Sequence, residues 1–139
     1  MKDMITVQTV VNTTLAKAWE FWNKPEHING WAFTSSDWEA RALENDLRAG
    51  GKFKTIMGAK DKSMSFDFTG TYSAVQANRL IEYDMSDGRH VKVEFADTPS
   101  GIKIIETFEP EKENPTEMQR FGWQAILDNF KKYTETRNK

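Results

Sequence analysis

The sequence predicts one α+β domain, residues 1–139, in which a curved antiparallel sheet wraps around a long C-terminal helix. Three observations lead to this prediction. A length of 139 residues suits one domain with its own core. Strand patterns separated by turn residues fill the middle of the chain, and consecutive hairpins build antiparallel sheets. The only long helical pattern comes last, and the apolar face of such a sheet needs an element to cover it.

One strand and two short helices are predicted at the start of the chain. Residues 5–11 are β-branched and partly alternating, which favours a strand. Apolar residues then recur at helical spacing from Leu15 to Trp22, after threonines that can cap a helix. Proline is favourable in the first position of a helix, so Pro25 predicts a second short helix over residues 25–31.

Six strands are predicted in the middle of the chain, because β-branched and aromatic residues alternate there between turn signals. Their bounds are residues 37–43, 52–58, 63–75, 80–85, 91–95 and 102–109. Asp87 and Gly88 predict a hairpin with a type I′ turn, in which both central residues need positive φ.

The final helix is predicted from about residue 116 to about residue 136. Its apolar stripe consists of Gln119, Gly122, Trp123, Ile126, Phe130 and Tyr133, widened by Met118, Phe121, Ala125 and Leu127. We expect Trp123 to be largely buried between helix and sheet. Gly122 is expected to let the helix backbone approach the strands closely.

Composition argues against several classes of function. The formal net charge is −2 and no basic block stands out, which argues against a nucleic-acid partner. No apolar run is long enough for a signal peptide or a membrane span. The absence of cysteine excludes disulfides and thiolate metal sites. We therefore expect a cytoplasmic protein that does not act at a membrane.

The sequence contains no motif for a metal or a cofactor. His27 and His90 are the only histidines, and no cluster with Asp or Glu at ligand spacing is visible. We interpret both as surface residues. No Gly-rich phosphate loop and no nucleophile elbow occurs, so we expect neither a metal nor a cofactor.

Six segments, in this order, carry a resemblance to a known superfamily. They are AWEFW at 18–22, PEHI at 25–28 before Trp31, DLRAGGKF at 46–53, FDFTGTY at 66–72, ETFEPE at 106–111 and GWQAIL at 122–127. Together they resemble the helix-grip fold of the START and birch-pollen-allergen superfamily. Within it, the chain is similar to the branch named after the C-terminal domain of the activator of Hsp90 ATPase. The resemblance spans nearly the whole chain and implies the element order β-α-α, six strands, α.

The resemblance implies a fold and a cavity, but not one activity. The superfamily includes carriers of lipids and hormones, polyketide cyclases and cochaperone domains. A small apolar or aromatic ligand would lie between the sheet and the last helix, where aromatic side chains would line its site. The candidate ligand-binding residues are Trp31, Phe53, Phe66, Phe68, Tyr72, Phe95, Glu106, Trp123 and Leu127. The alternative is that these side chains only fill the core.

Two placements of Glu106 stay open. Strand alternation puts it on the same face as Ile104 and Phe108, where its carboxyl group would point into an apolar cavity and have a raised pKa. A β-bulge would instead turn it outward with Lys103. The outward placement is slightly favoured, because a bulge is easily missed in a sequence.

Three functions are compared. The first is a binding module for a small apolar or aromatic molecule, as a monomer or homodimer. The second is a protein-interaction or chaperone-regulator module that uses the outer sheet surface or the acidic residues Asp37, Glu39, Glu44 and Asp46. It ranks second because the eukaryotic activators carry a separate N-terminal domain for which this chain has no room. The third is an enzyme of the cyclase or hydrolase kind with Glu106 or Tyr72 as acid–base group, and it ranks last because no convergent catalytic set is visible.

Overall fold

A seven-stranded antiparallel sheet and three helices form the fold in a computed structural model that describes residues 4–137. The elements, in chain order, are β1 (Ile5–Val11), α1 (Leu15–Asn23), α2 (Pro25–Ile28), β2 (Trp38–Asn45), β3 (Lys52–Ala59), β4 (Ser65–Gln76), β5 (Leu80–Met85), β6 (His90–Thr98), β7 (Gly101–Phe108) and α3 (Thr116–Arg137). This order confirms the predicted α+β class and helix-grip arrangement.

The strand order is β1-β7-β6-β5-β4-β3-β2, and every neighbouring pair is antiparallel. Strands β2 to β7 therefore form one continuous meander, and β1 joins it beside β7. The two helices α1 and α2 connect β1 and β2, which are the opposite edges of the sheet. The sheet curls into a half-barrel, and α3 lies in its concave side.

Helix α3 covers the free edge of β1 with polar side chains. Three of them donate to carbonyl oxygens of alternate β1 residues: Arg120 Nη1 to Thr6 (3.1 Å), Gln124 Nε2 to Gln8 (3.2 Å) and Lys131 Nζ to Val10 (2.7 Å). An uncovered edge strand would leave these acceptors free to pair with another chain. The contacts fix the helix against one edge of the sheet.

The core lies between α3 and the strands at the β1 end of the sheet. Alternate residues of β6 and β7 point inward, and Val91, Val93, Ile104 and Phe108 are all fully buried. Phe130 of α3 is fully buried as well. Each such side chain contributes roughly 1.5–3 kcal/mol by its removal from water.

The turn between β5 and β6 differs from the predicted type I′ turn. Of the residues in this turn, only Gly88 has a positive φ, 92°. Its N–H donates to the Met85 carbonyl, and the Met85 N–H donates to the Arg89 carbonyl, both at 2.8 Å. This is a three-residue hairpin loop in which glycine occupies the left-handed position of a G1 bulge. The Asp87-Gly88 dipeptide therefore predicted the hairpin correctly, but the predicted type I′ turn is wrong.

Element ends also differ in places. Helix α2 ends at Ile28, three residues before the predicted Trp31, because the chain turns there so that the Trp31 indole can donate to the Phe21 carbonyl (2.9 Å). Phe121 was expected to widen the stripe of α3 but is 77% exposed. Within residues 4–137, no helix combines the length and the apolar character needed to cross a membrane.

Candidate ligand-binding cavity

The position of α3 leaves a space above the middle of the sheet. The helix runs closest to β1 and α1, and its backbone makes few contacts with the other strands. The concave faces of β3, β4 and β5 are therefore not covered by helix backbone. A cavity of about 470 Å³ lies between them and α3.

Most of the cavity wall is apolar or aromatic. Its exposed members, which mark the opening, are Thr34, Glu44, Phe66, Asn114 and Met118. Its buried members are Asn23, Trp31, Ala32, Phe53, Thr55, Tyr72, Ile81, Tyr83, Met85, Glu106 and Gln119. The space is thus open to solvent at one end and enclosed by side chains at the other.

Most of the candidate residues from the sequence are brought together here. Those that line the cavity are Trp31, Phe53, Phe66, Phe68, Tyr72, Glu106 and Trp123. Phe95 and Leu127 do not. Phe95 packs edge-on against the rings of Trp19 and Trp22, at 5.4 and 5.7 Å between centroids, and Leu127 is fully buried. Phe95 thus belongs to the core between β6 and α1, and Leu127 to the core beneath α3.

A cluster of four aromatic rings forms the floor of the cavity. The Phe53 ring lies 4.9 Å from that of Tyr83, 5.3 Å from that of Tyr72 and 5.4 Å from that of Phe68, centroid to centroid. The tilted and edge-on arrangements hold the rings in fixed orientations. Tyr83 was missed from the sequence, although it alternates with Ile81 and Met85 on one face of β5.

A chain of hydrogen-bonded polar groups, buried or partly buried, closes one side of the cavity. The Tyr72 hydroxyl donates to Asn45 Oδ1, Asn45 Nδ2 donates to the Asn23 carbonyl (2.6 Å), and Asn23 Nδ2 donates to the Trp19 carbonyl (2.9 Å). Burial raises the pKa of Tyr72 well above its ordinary value, so the hydroxyl stays protonated. This chain links α1, β2 and β4 and offers polar atoms at an otherwise apolar wall.

Glu106 lies on the cavity face, and the outward placement favoured from the sequence is wrong. Strand β7 pairs with β1 and β6 without any register shift, so alternation holds. The residues opposite Glu106 are Val7 and Val93. Glu106 is 6% exposed, and burial raises its pKa from 4.5 to about 8. Within residues 4–137 its carboxyl group has no hydrogen bond and no ion pair.

One cation lies on the same wall, in the β5–β6 hairpin. Arg89 Nε donates to Asp87 Oδ2 at 2.9 Å, and Arg89 Nη2 lies 3.8 Å from Met85 Sδ. Asp87 thus neutralises this guanidinium locally. Burial raises the pKa of the Tyr83 hydroxyl well above its ordinary value, the charge of Glu106 adds to that rise, and Arg89 opposes it only in part, whereas burial alone raises the pKa of Glu106.

Trp123 and Gly122 differ from expectation. Trp123 is half-buried, since one face of its indole stacks on Phe108 at 3.9 Å and the residue also lines the cavity. A Cβ placed on Gly122 would meet no atom within 4 Å. Gly122 therefore does not serve a close approach of helix and strands. The glycine instead leaves the cavity wall without a side chain at this position.

The two histidines are less exposed than predicted, because each has partners on neighbouring elements. The His27 ring stacks on Phe21 at 4.1 Å, and its Nδ1 lies 2.8 Å from the Tyr133 hydroxyl. His90 lies on the convex face of the sheet, between carboxylates of β5 that raise its pKa. Among the described residues, no group of three or more His, Asp or Glu side chains could hold a metal ion.

Comparison with known proteins places this fold in a family. A family model described as "Activator of Hsp90 ATPase homolog 1-like protein" matches residues 12–135. Among curated proteins, no match was found.

Solved structures agree in sequence and fold. The solution structure of an AHSA1-like protein from Aeromonas hydrophila is 40% identical, with a TM-score of 0.91 over 97% of this chain and 94% of that chain. A solution structure from Cytophaga hutchinsonii is 50% identical, with a TM-score of 0.82 over 96% of this chain and 92% of that chain.

A crystal structure from Chromobacterium violaceum is 20% identical, with a TM-score of 0.85 over 96% of this chain and 98% of that chain, and shares the fold. The family match and the two closer structures span nearly the whole chain. The chain therefore belongs to the activator of Hsp90 ATPase homolog 1-like family.

Proposed function

We propose that this protein binds a small apolar or aromatic molecule in the cavity between the sheet and α3. The observation that carries the proposal is a cavity of about 470 Å³ with an apolar wall and a few buried polar groups. Sites for small molecules usually have roughly 300–1,000 Å³ and this mixture of surfaces. An exposed ring at the opening, Phe66, is 52% exposed and would lose contact with water when a ligand enters.

The surroundings of Glu106, the one buried acid among residues 4–137, favour binding over catalysis. Among the described residues, no hydrogen-bond partner orients the Glu106 carboxyl group, and the Tyr72 hydroxyl already donates to Asn45. Acid–base catalysis needs groups that are held within reach of the proton they transfer. A single unoriented carboxyl group serves better as a contact for a ligand.

Thermal-shift screening tests the proposal. Fatty acids, flavonoids and polyketide-like aromatics are suitable probes, because a ligand that binds only the folded state raises the melting temperature by mass action. We expect at least one compound to stabilise the protein. If no compound does so, the cavity is not a ligand site.

Filling the cavity should abolish that stabilisation. We expect Phe68→Trp to lose the thermal shift while the free energy of unfolding falls by less than about 1 kcal/mol, because open space receives the larger ring. Phe121→Trp is the matched control, since Phe121 lies outside the cavity and is 77% exposed. A strong destabilisation by Phe68→Trp, measured by urea unfolding, would mean that the space is packed.

Regulation of a chaperone is the second candidate, and the family description favours it. It requires a contact surface for Hsp90. Of the exposed large apolar side chains of the described residues, Phe66 and Met118 belong to the cavity opening, and the other four lie on separate parts of the chain: Met4, Leu43, Met64 and Phe121. We therefore expect this chain to stimulate the steady-state ATPase rate of Hsp90 weakly or not at all. A several-fold stimulation that survives Phe68→Trp would make regulation the primary function.

A further inference from the structure

Glu106 is the feature of the cavity that an apolar ligand alone leaves unexplained. Its side chain is 6% exposed and lines the cavity, and within residues 4–137 it has neither a hydrogen bond nor an ion pair. A buried carboxyl group without a partner is unfavourable, whether neutral or charged. A group supplied by a ligand would remove this cost.

The charged side chains on the cavity wall indicate which kind of ligand group could pair with Glu106. Besides Glu106, the ionisable side chains that line the cavity are Glu44 of β2, Tyr72 of β4, Tyr83 of β5, Arg89 of the β5–β6 hairpin and Glu111 of the loop before α3. The wall thus carries three carboxyl groups and one guanidinium, and Asp87 already pairs with that guanidinium at 2.9 Å. The side chains of α3 on this wall carry no charge. Among the described residues of this wall, an anionic ligand would find no unpaired cation, whereas a cationic ligand would find the unpaired acid Glu106.

The aromatic floor of the cavity also favours a positively charged ligand group. The rings of Phe53, Tyr72 and Tyr83 line the cavity, and the Trp123 indole lines it from the helix. The negative face of an aromatic ring attracts an ammonium group, most strongly where water is excluded. An aromatic or apolar body would pack on the same rings.

We propose that the ligand of this cavity is an apolar or aromatic molecule that carries a protonated amine, and that its ammonium group pairs with the carboxylate of Glu106. This inference rests on the proposed ligand-binding function and names the chemical class of its ligand. In the empty cavity Glu106 is protonated at neutral pH, since burial raises its pKa to about 8. Pairing with an ammonium ion ionises Glu106 and releases its proton to solvent, so the net reaction conserves charge and atoms.

Three probes with one shared ring system separate the outcomes. Naphthylethylamine, naphthylethanol and naphthylacetic acid differ in the polar group alone, and their affinities are measured by isothermal titration calorimetry. We expect the amine to bind at least about tenfold more tightly than the other two at neutral pH. Its binding should release close to one proton, detected by repeating the titration in buffers of different ionisation enthalpy. Below pH 8, the affinity for the amine should increase about tenfold for each unit by which the pH is raised, because binding releases a proton.

Two variants assign the effect to Glu106. Glu106→Gln should remove the preference for the amine and the proton release, while the alcohol still binds. Glu94→Gln is the control, because Glu94 lies on the convex face beside Lys92 and is not part of the cavity wall. It makes the same Glu-to-Gln change outside the cavity and should alter neither the preference for the amine nor the proton release.

The other outcomes are distinct. Equal affinity for the three probes, or tighter binding of the acid, overturns the amine proposal and leaves the ligand cavity standing. Retained amine preference in Glu106→Gln also overturns it. Failure of all three probes, together with failure of the wider screen, overturns the proposed function itself.

Discussion

Replacing Glu106 by Gln should stabilise the protein at alkaline pH and have little effect at acidic pH. The carboxyl group is buried and has no partner among residues 4–137, and its folded pKa of about 8 lies above the ordinary value of 4.5. The folded state therefore binds this proton more tightly than the unfolded state. Its contribution to stability is fully present below the unfolded pKa and is lost as the pH rises through the folded pKa. Glutamine does not titrate, so the variant escapes that loss.

The expected size follows from the shift in pKa. Each pKa unit corresponds to about 1.4 kcal/mol, so the full difference between the two proteins is on the order of 3–5 kcal/mol. Urea unfolding at about pH 5 and about pH 9, on both proteins, measures it. Glu94→Gln provides the control for general charge effects, since Glu94 is partly exposed on the convex face. Parallel pH profiles for wild type and Glu106→Gln would show that the carboxyl group is hydrated or paired in the folded state.

The same residue shows what strand alternation can and cannot predict. Alternation from Ile102 to Phe108 correctly predicted that these residues share a face with Glu106. It holds because β7 has a partner strand on both sides, and the two ladders fix its register. A bulge was expected there, but the register shifts lie elsewhere, between Ala42 and Glu44 and between Tyr72 and Ala74. A bulge depends on how two strands pair, and a single strand's sequence carries little signal for that.

The sequence predicted much of the aromatic lining of the cavity, but it did not predict how far the cavity extends. The alternation of Phe66, Phe68 and Tyr72 identified one wall, and Phe53 another. Phe95 shows the same alternation but packs on Trp19 and Trp22 instead. The difference is set by which helix lies over each strand, since α1 contacts β6 whereas the helices make few contacts with β3, β4 and β5. The position of α3 depends on its polar contacts with β1, which connect residues more than a hundred positions apart.

The acidic residues near β2 have a structural explanation from the topology. Strand β2 is an edge of the sheet, so Glu39 and its neighbours lie where another chain could add a strand. Exposed charge at such an edge discourages that pairing. Glu39 has Lys62 within 3.8 Å and Asp46 has Arg48 within 2.9 Å, as expected of solvated pairs. A docking role for this cluster stays a prediction.

Phe130→Ala should destabilise the protein far more than Trp123→Ala, although tryptophan is the larger side chain. Phe130 is fully buried, with its ring 4.9 Å from that of Trp22 and 5.0 Å from that of Trp31. Its removal leaves a void that these rings cannot fill, and we expect a loss of about 3–5 kcal/mol. Trp123 stacks on Phe108 and lines the open cavity, so its truncation mainly enlarges a space that already exists. We expect a loss of about 1–2 kcal/mol, below the usual value for a buried aromatic residue.

Urea unfolding of both variants at one pH measures the contrast. Phe130→Leu serves as a milder second variant if Phe130→Ala does not fold, and it should lose about 1 kcal/mol. Equal and large losses at both positions would mean that the indole is packed on both faces and that no cavity is open beside it. In that case the thermal shift by ligands should also be absent, because both results depend on the same space. A small loss at Trp123, together with a weaker ligand response in that variant, would identify its indole as a wall that contacts the ligand.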